Sequence, residues 1–265
     1  MQGIKSEKMD DPFLFSIICV FNNENTLNEY LLPGLEHQSL QHEKIFINNS
    51  MGIYPSAAIA YNKAAEMAKG SFLIFIHQDC YLSSETFLEQ CRYYISELSD
   101  MGIAGVAGKR PENRYVISNI FHGSPPGRAG HTITSPEVVQ TLDECLIIIP
   151  KSLFSKVRFD EDTCRGWHLY AVDYCLTTRR LGYSSYVLPV KIYHASNGDS
   201  LNYSYLLTMK RLIQKHKEEN LVISTTMSNF YGNIPFLLQI LRFYFFWLIY
   251  QSLFFIRKKE PDYDK

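Results

Sequence analysis

The run Ser71 to Ser84, SFLIFIHQDCYLSS, is apolar up to Ile76 and then turns abruptly into His77-Gln78-Asp79. A carboxylate at such a place can meet a metal ion or a polar ligand, because open α/β sheets bind ligands outside the carboxyl ends of their strands. Phe72 to Ile76 is too short for a buried helix and rich in β-favouring residues, so it reads as a central strand covered on both faces. Two further places set titratable groups against apolar runs: Asp143 and Glu144 at the entrance of Leu142 to Pro150, and His194 at the end of Tyr186 to Tyr193.

The elements that must position these groups alternate along the chain. Phe15 to Phe21 reads as a first strand, the polar turn Asn22 to Asn25 follows, and Thr26 to Leu35 reads as a helix. Lys44 to Ile47 is a second strand ending in Asn48-Asn49-Ser50. Pro55-Ser56 then opens a helix with Ala57, Ala60, Tyr61, Ala64, Met67 and Ala68 at helical spacing, closed by Gly70. After the HQD strand, Ser83 is the expected cap of a helix whose face is Phe87, Cys91, Tyr94 and Leu98. The order predicts a doubly wound, mostly parallel sheet flanked by helices.

From Lys109 to Thr141 the periodicity fades, and GSPPGRAG at Gly123 to Gly130 predicts a long mobile loop. Beyond it come the strand Leu142 to Pro150, a helix His168 to Leu181 ended by Gly182, the strand Tyr186 to Tyr193, and helices near Tyr203 to Glu219 and Ile234 to Ile256. The expected division is an α/β domain over 12–200 and a C-terminal helical extension over 201–265, aromatic-rich from 234.

Composition narrows the function. The 265 residues can bury one sizeable core. With 26 basic and 27 acidic residues and no long single-sign block, a nucleic-acid partner is not expected. Six cysteines without a CxxC pair or zinc-type spacing read as reduced structural thiols. The charged stretch MQGIKSEKMDDPF lacks the apolar core of a secretory signal, so a cytoplasmic location is expected.

Five segments, SIICVFNNEN at Ser16 to Asn25, AYNKA at Ala60 to Ala64, HQD at His77 to Asp79, HLYAVDYCLTTRRLGY at His168 to Tyr183 and KIYHASNG at Lys191 to Gly198, fall in one order. This ordered set resembles the nucleotide-sugar glycosyltransferases of the GT-A fold, family 2 type. Within them it is similar to the StrF-like branch of streptomycin biosynthesis, which carries HQD where most relatives have Asp-x-Asp. The resemblance implies a GT-A type α/β domain, a nucleoside diphosphate sugar as donor, an acceptor glycan or glycolipid, and a divalent cation, Mn²⁺ or Mg²⁺.

The resemblance implies site residues as well. Asp79 and His194 become metal ligands; neutral imidazole suits Mn²⁺ better than Mg²⁺. Phe21, Asn22, Glu24 and Asn48 become nucleotide contacts, with Asn62 near the pyrophosphate or sugar, and His77 and Gln78 of the HQD against the donor. The plainer readings are strand-end caps for Asp79 and His194 and turn formation for the asparagines.

An inverting transferase needs a carboxylate that removes the acceptor proton. In the family it comes from an acidic cluster opening the late helix, where Asp173 matches the last acid while Tyr170 and Ala171 replace the usual pair. Asp173 is therefore the first candidate for the base, with Asp143 and Glu144 in reserve; because acids are replaced at His77, Asn48 and Ala171, a non-catalytic nucleotide-sugar binding protein is the alternative. The tail PFLLQILRFYFFWLIYQSLFFIRKK has Arg242 near its middle, which disfavours a simple span. An interfacial helix anchored by Arg257, Lys258 and Lys259 at the inner membrane surface, or a helix buried against the domain or a second copy, are its readings.

Overall fold

The strands follow from alternating burial. On the first strand, β1 (Phe15–Phe21), Ile18 and Val20 point into one apolar cluster while Phe15, Ile17 and Cys19 point into another. The same period of two recurs on β3 (Phe72–Ile76), where Leu73 and Phe75 oppose Ile74 and Ile76, and on the strand Leu146–Pro150. Both faces are thus covered, one by the helices Ala57–Ala65 and Tyr170–Arg180, the other by the helical stretch 24–36 and the helix Phe87–Ser96. The computed structural model describes residues 14–113, 115–123, 125–195, 203–217, 222–242 and 244–245.

The main sheet has seven strands in the order Glu137–Val139, Ser184–Val187, Met101–Gly105, Leu146–Pro150, β3, β1 and β2 (His42–Asn48). Pairing of β1 with β2 and β3, and of Met101–Gly105 with Ser184–Val187, is parallel. The strand Leu146–Pro150 runs antiparallel to both of its neighbours. Leu146 therefore stands opposite Ile76, and the residues just before Leu146 reach the same sheet edge as the residues just after Ile76.

Local sequence explains several junctions. Asn23 accepts from the Thr26 N–H and caps the first helix; Leu27–Leu31 widens into a π turn ahead of Pro33, which has no N–H to return to the preceding turn. The helix opened by Ser56 ends at Ala65 with Glu66 as its cap, so Gly70 does not close it; Gly70 serves instead as a point of close approach. A Cβ there would stand 2.7 Å from the Ser16 nitrogen, and the Gly70 N–H itself donates to the Ser16 hydroxyl. The helix after Ser84 begins at Phe87, and it is Ser84 Oγ, not Ser83, that accepts a backbone N–H at its start.

Two sequence expectations are corrected. The segment 109–141 is not one loop: it carries short strands at Ile117–Ser118, Ile120–His122, Gly127–Arg128 and Glu137–Val139. Strands of two or three residues leave no periodicity to read, and within GSPPGRAG it is Gly127 and Arg128 that pair back onto His122 and Phe121 as a hairpin. The run Tyr186 to Tyr193 also divides. Ser184–Val187 joins the main sheet, while Ile192–His194 crosses to a small sheet between β4 (Cys80–Leu82) and Ile120–His122.

The helix Tyr203–Lys215 and a hairpin, Val222–Ser224 with Asn229–Tyr231, follow. Tyr205, Leu206, Met209, Leu212, Ile223 and Phe230 pack against Leu169, Val172 and Leu176 in a third apolar cluster. Residues 236–242 are helical; Phe236 and Ile240 pack inward while Leu237, Leu238 and Leu241 are exposed. No helix among the described residues is long and apolar enough to cross a membrane. Residues Ser196 to Gly198 and the basic anchor Arg257 to Lys259 lie outside the described residues.

Candidate active site

The two strand ends at the shared edge frame a cavity of about 1300 Å³. Phe21 and Asn22 enter it from β1, His77, Gln78 and Asp79 from β3, His194 from the small sheet, and Asp143 with Glu144 from the approach to Leu146. The antiparallel strand makes this convergence possible. The His77 N–H donates to the Cys145 carbonyl at 2.9 Å, fastening the HQD turn to the segment that carries the two carboxylates.

His194 reaches Asp79 because its strand pairs antiparallel with β4, in a register that sets His194 opposite Cys80. The Ala195 N–H donates to the Asp79 carbonyl at 2.9 Å. His194 Nε2 then stands 3.3 Å from Asp79 Oδ1, yet this buried nitrogen makes no hydrogen bond. His77, Asp79 and His194 each present one ligand atom within 4.8 Å of the others. Two imidazoles and a carboxylate with an unbonded buried nitrogen between them are a donor set that fits a divalent transition ion.

The charges of the group are mutually dependent. Burial, with His194 nearby, pushes the His77 imidazole down to about 4. Burial opposes charge on His194, but Cys80 and the Asp79 carboxylate outweigh it and lift that imidazole to about 9. The Cys80 thiol donates to the Cys145 carbonyl, and Asp79 Oδ1 lies 3.3 Å from the imidazole. For Asp79, burial works against the carboxylate, and the two histidines hold its carboxyl below the usual value.

Asp143 and Glu144 are neighbours with opposite shifts. Asp143 Oδ1 accepts from the Cys145 N–H at 3.0 Å and Oδ2 from the Thr226 hydroxyl at 2.8 Å. Burial opposes its charge, but His194 and these hydrogen bonds keep it ionised. Burial and the adjacent Asp143 charge push Glu144 up to about 8. Its Oε1 accepts the Leu169 N–H at 2.6 Å. Leu169 has φ 70°, a left-handed conformation rare for a branched side chain, so Glu144 pins a strained residue at the start of the helix Tyr170–Arg180.

Other sequence-assigned residues lie elsewhere. Asp173 is buried away from the cavity, where its carboxylate accepts from Lys215 Nζ at 2.7 Å and pairs with His216 Nε2 at 3.0 Å. It falls on the face of its helix that meets Tyr203–Lys215, and local patterning carries no signal of its partner lysine and histidine far along the chain. Asn62 is also buried, bonding the Phe159 backbone and the Glu161 carboxylate. Asn48 accepts the Ser50 N–H in a turn, and Asn49 rather than Asn48 lines the cavity. Glu24 sits in the first helical turn outside the lining. Gln78 lines the cavity while its amide holds the Asn22 and Asn23 N–H groups at 3.0 Å and the Asn22 side chain at 2.8 Å.

Residues 16–215 match the model of a family described as glycosyltransferase like. The chain belongs to this glycosyltransferase-like family. No curated protein matches the chain in sequence. Among solved structures, GalNAc-T7 with UDP, GalNAc and Mn²⁺ is similar at 11% identity and TM-score 0.54, over 76% of this chain and 48% of that one. The mannosyltransferase PcManGT of Pyrobaculum calidifontis, in complex with GDP-Man and Mn²⁺, is similar at 13% identity and TM-score 0.53, over 79% of this chain and 65% of that one. S. aureus TarS 1–349 in complex with UDP-GlcNAc follows at 15% identity and TM-score 0.52, over 76% of this chain and 66% of that one. This glycosyltransferase-like chain thus shares the GT-A type fold, and it spans from about half to about two thirds of those chains.

Proposed function

We propose that the protein moves a sugar from a nucleoside diphosphate sugar to the hydroxyl of an acceptor glycan or glycolipid, with inversion and with Mn²⁺ preferred over Mg²⁺. One observation carries the reading: Asp79, His77, His194, Asp143 and Glu144 open on a single cavity at the strand ends of this fold. The HQD tripeptide further supports the StrF-like branch.

Asp79 and His194, with His77, would hold the ion, which when bound neutralises the charge that grows on a diphosphate leaving group. Phe21 and Asn22 flank the nucleotide, with Gln78 fixing the turn that presents them. Glu144 takes the proton of the acceptor hydroxyl as its oxygen attacks the anomeric carbon. Two adjacent acids with opposite shifts suit this proton transfer, since Asp143 stays ionised and keeps Glu144 basic, near the working pH where proton acceptance is most effective.

The test is incubation with a panel of UDP- and GDP-sugars and Mn²⁺, followed by detection of released nucleoside diphosphate. Release from at least one donor is expected. Binding without release, across many acceptors, would make the chain a nucleotide-sugar binding protein of the same fold; no binding at all would remove the donor site.

A further inference from the structure

The hairpin 222–231 lies beyond the family match, which ends at residue 215, and yet its turn lines the cavity through Thr225, Thr226 and Met227. It is held there firmly. The Gln140 side chain donates to the Val222 carbonyl at 2.7 Å and accepts the Ser224 N–H at 2.8 Å, and the Thr141 hydroxyl donates to the Ser224 carbonyl. Thr225 Oγ1 accepts the N–H groups of Met227 and Ser228 at 3.2 and 3.1 Å, and it meets the Tyr205 hydroxyl at 3.1 Å. Ile223 and Phe230 are buried beneath the turn. A turn fixed at so many points is a rigid wall, and the one side-chain bond it sends toward the carboxylates runs from the Thr226 hydroxyl to Asp143 Oδ2.

We infer that this hairpin is part of the active site: its turn forms the acceptor-side wall, and Thr226 is a positioning residue that fixes Asp143 beside the base. The inference rests on the transfer reading. On the transfer reading Phe21, Asn22 and the His77-to-Asp79 turn take the donor, which leaves the lining contributed by Asp143, Glu144 and the hairpin turn for the attacking hydroxyl. Met227 on the turn and Trp167, two residues before the strained Leu169, are 48% and 38% exposed and line the same cavity. They offer apolar surface to the carbon-bound hydrogens of a sugar ring while Glu144 and Asp143 take its hydroxyls. The ligand class is a pyranose of an acceptor glycan; with none supplied, water stands in for it.

The experiment uses the full chain and water as acceptor, reading hydrolysis of whichever UDP- or GDP-sugar releases its nucleoside diphosphate. Thr226→Val keeps the shape and removes the hydroxyl; Thr226→Ser keeps the hydroxyl. Loss of a hydrogen bond to a charged group predicts that Thr226→Val lowers kcat about tenfold. The donor KM should stay at the wild-type value, and Thr226→Ser should restore kcat together with any melting temperature lost when the buried Asp143 oxygen is left without its partner. A purely structural hairpin would lower the melting temperature and leave kcat per folded molecule at the wild-type value. If Thr226→Val matches wild type in kcat, the inference is overturned while the transfer reading stands. If wild type neither binds nor hydrolyses any donor, the transfer reading fails and takes this inference with it.

Discussion

His194 Nε2 lies 3.3 Å from Asp79 Oδ1, and no hydrogen bond joins them. The two residues come from distant parts of the chain and are brought together by the antiparallel register of Ile192–His194 on β4. At 3.3 Å the charged imidazole and the carboxylate attract each other, and with His77 they present three ligand atoms within 4.8 Å of one another, a group that could hold a cation in place of the proton.

Glu144→Gln should leave nucleotide binding intact and slow donor turnover by about 10² to 10⁴, the usual range for lost general-base assistance. The wild-type rate should rise with pH to a plateau with a midpoint of about 8, where burial and Asp143 place this carboxyl, and the variant should lose that limb. A pH-rate profile of both proteins checks it.

The same group affects stability with a definite sign. Because the folded value of Glu144 lies above the unfolded one, the native state loses stability as pH rises from the ordinary Glu range to about 8. Glu144→Gln removes that loss. Its melting temperature, measured against wild type at pH 5 and pH 9, should gain on wild type at the higher pH.

Asp173→Asn should act on stability rather than chemistry. The carboxylate is buried and serves Lys215 and His216, so its neutralisation should destabilise the fold by about 2–4 kcal/mol. Turnover per folded molecule should hold, as read by urea unfolding alongside active-site titration. A folded Asp173→Asn protein that binds donor but fails to turn it over would return the base to Asp173.

Gly70→Ala should be poorly tolerated, because its Cβ would meet backbone atoms of Phe15 and Ser16 at 2.8 and 2.7 Å. Overpacking against backbone predicts a loss of about 1–3 kcal/mol, measurable as a lower urea midpoint.

The strands β1, β3 and Leu146–Pro150 are legible in the sequence because they are apolar runs bounded by polar turns, and Asp79 is legible because it ends such a run. Met101–Gly105 and Glu137–Val139 also belong to the sheet and are not read from the sequence. Partnerships that depend on long-range packing are not legible either. Asp173 matches a motif position, but its orientation is decided by Lys215 and His216, which no local pattern connects to it. His77 reads as a nucleotide contact, and its membership of the ligand cluster depends on where the strand Ile192–His194 crosses. The direction of Leu146–Pro150 is equally invisible, since an apolar run looks the same read either way.

The central claim is that the cavity binds a nucleoside diphosphate through an ion held by Asp79 and His194. Calorimetric titration with UDP and GDP, with Mn²⁺ or with a chelator, on wild type, Asp79→Asn and His194→Ala tests it most directly. Binding should require Mn²⁺ in wild type and be lost in both variants while their melting temperatures hold. Equal affinity with chelator present, or in either variant, would contradict the account.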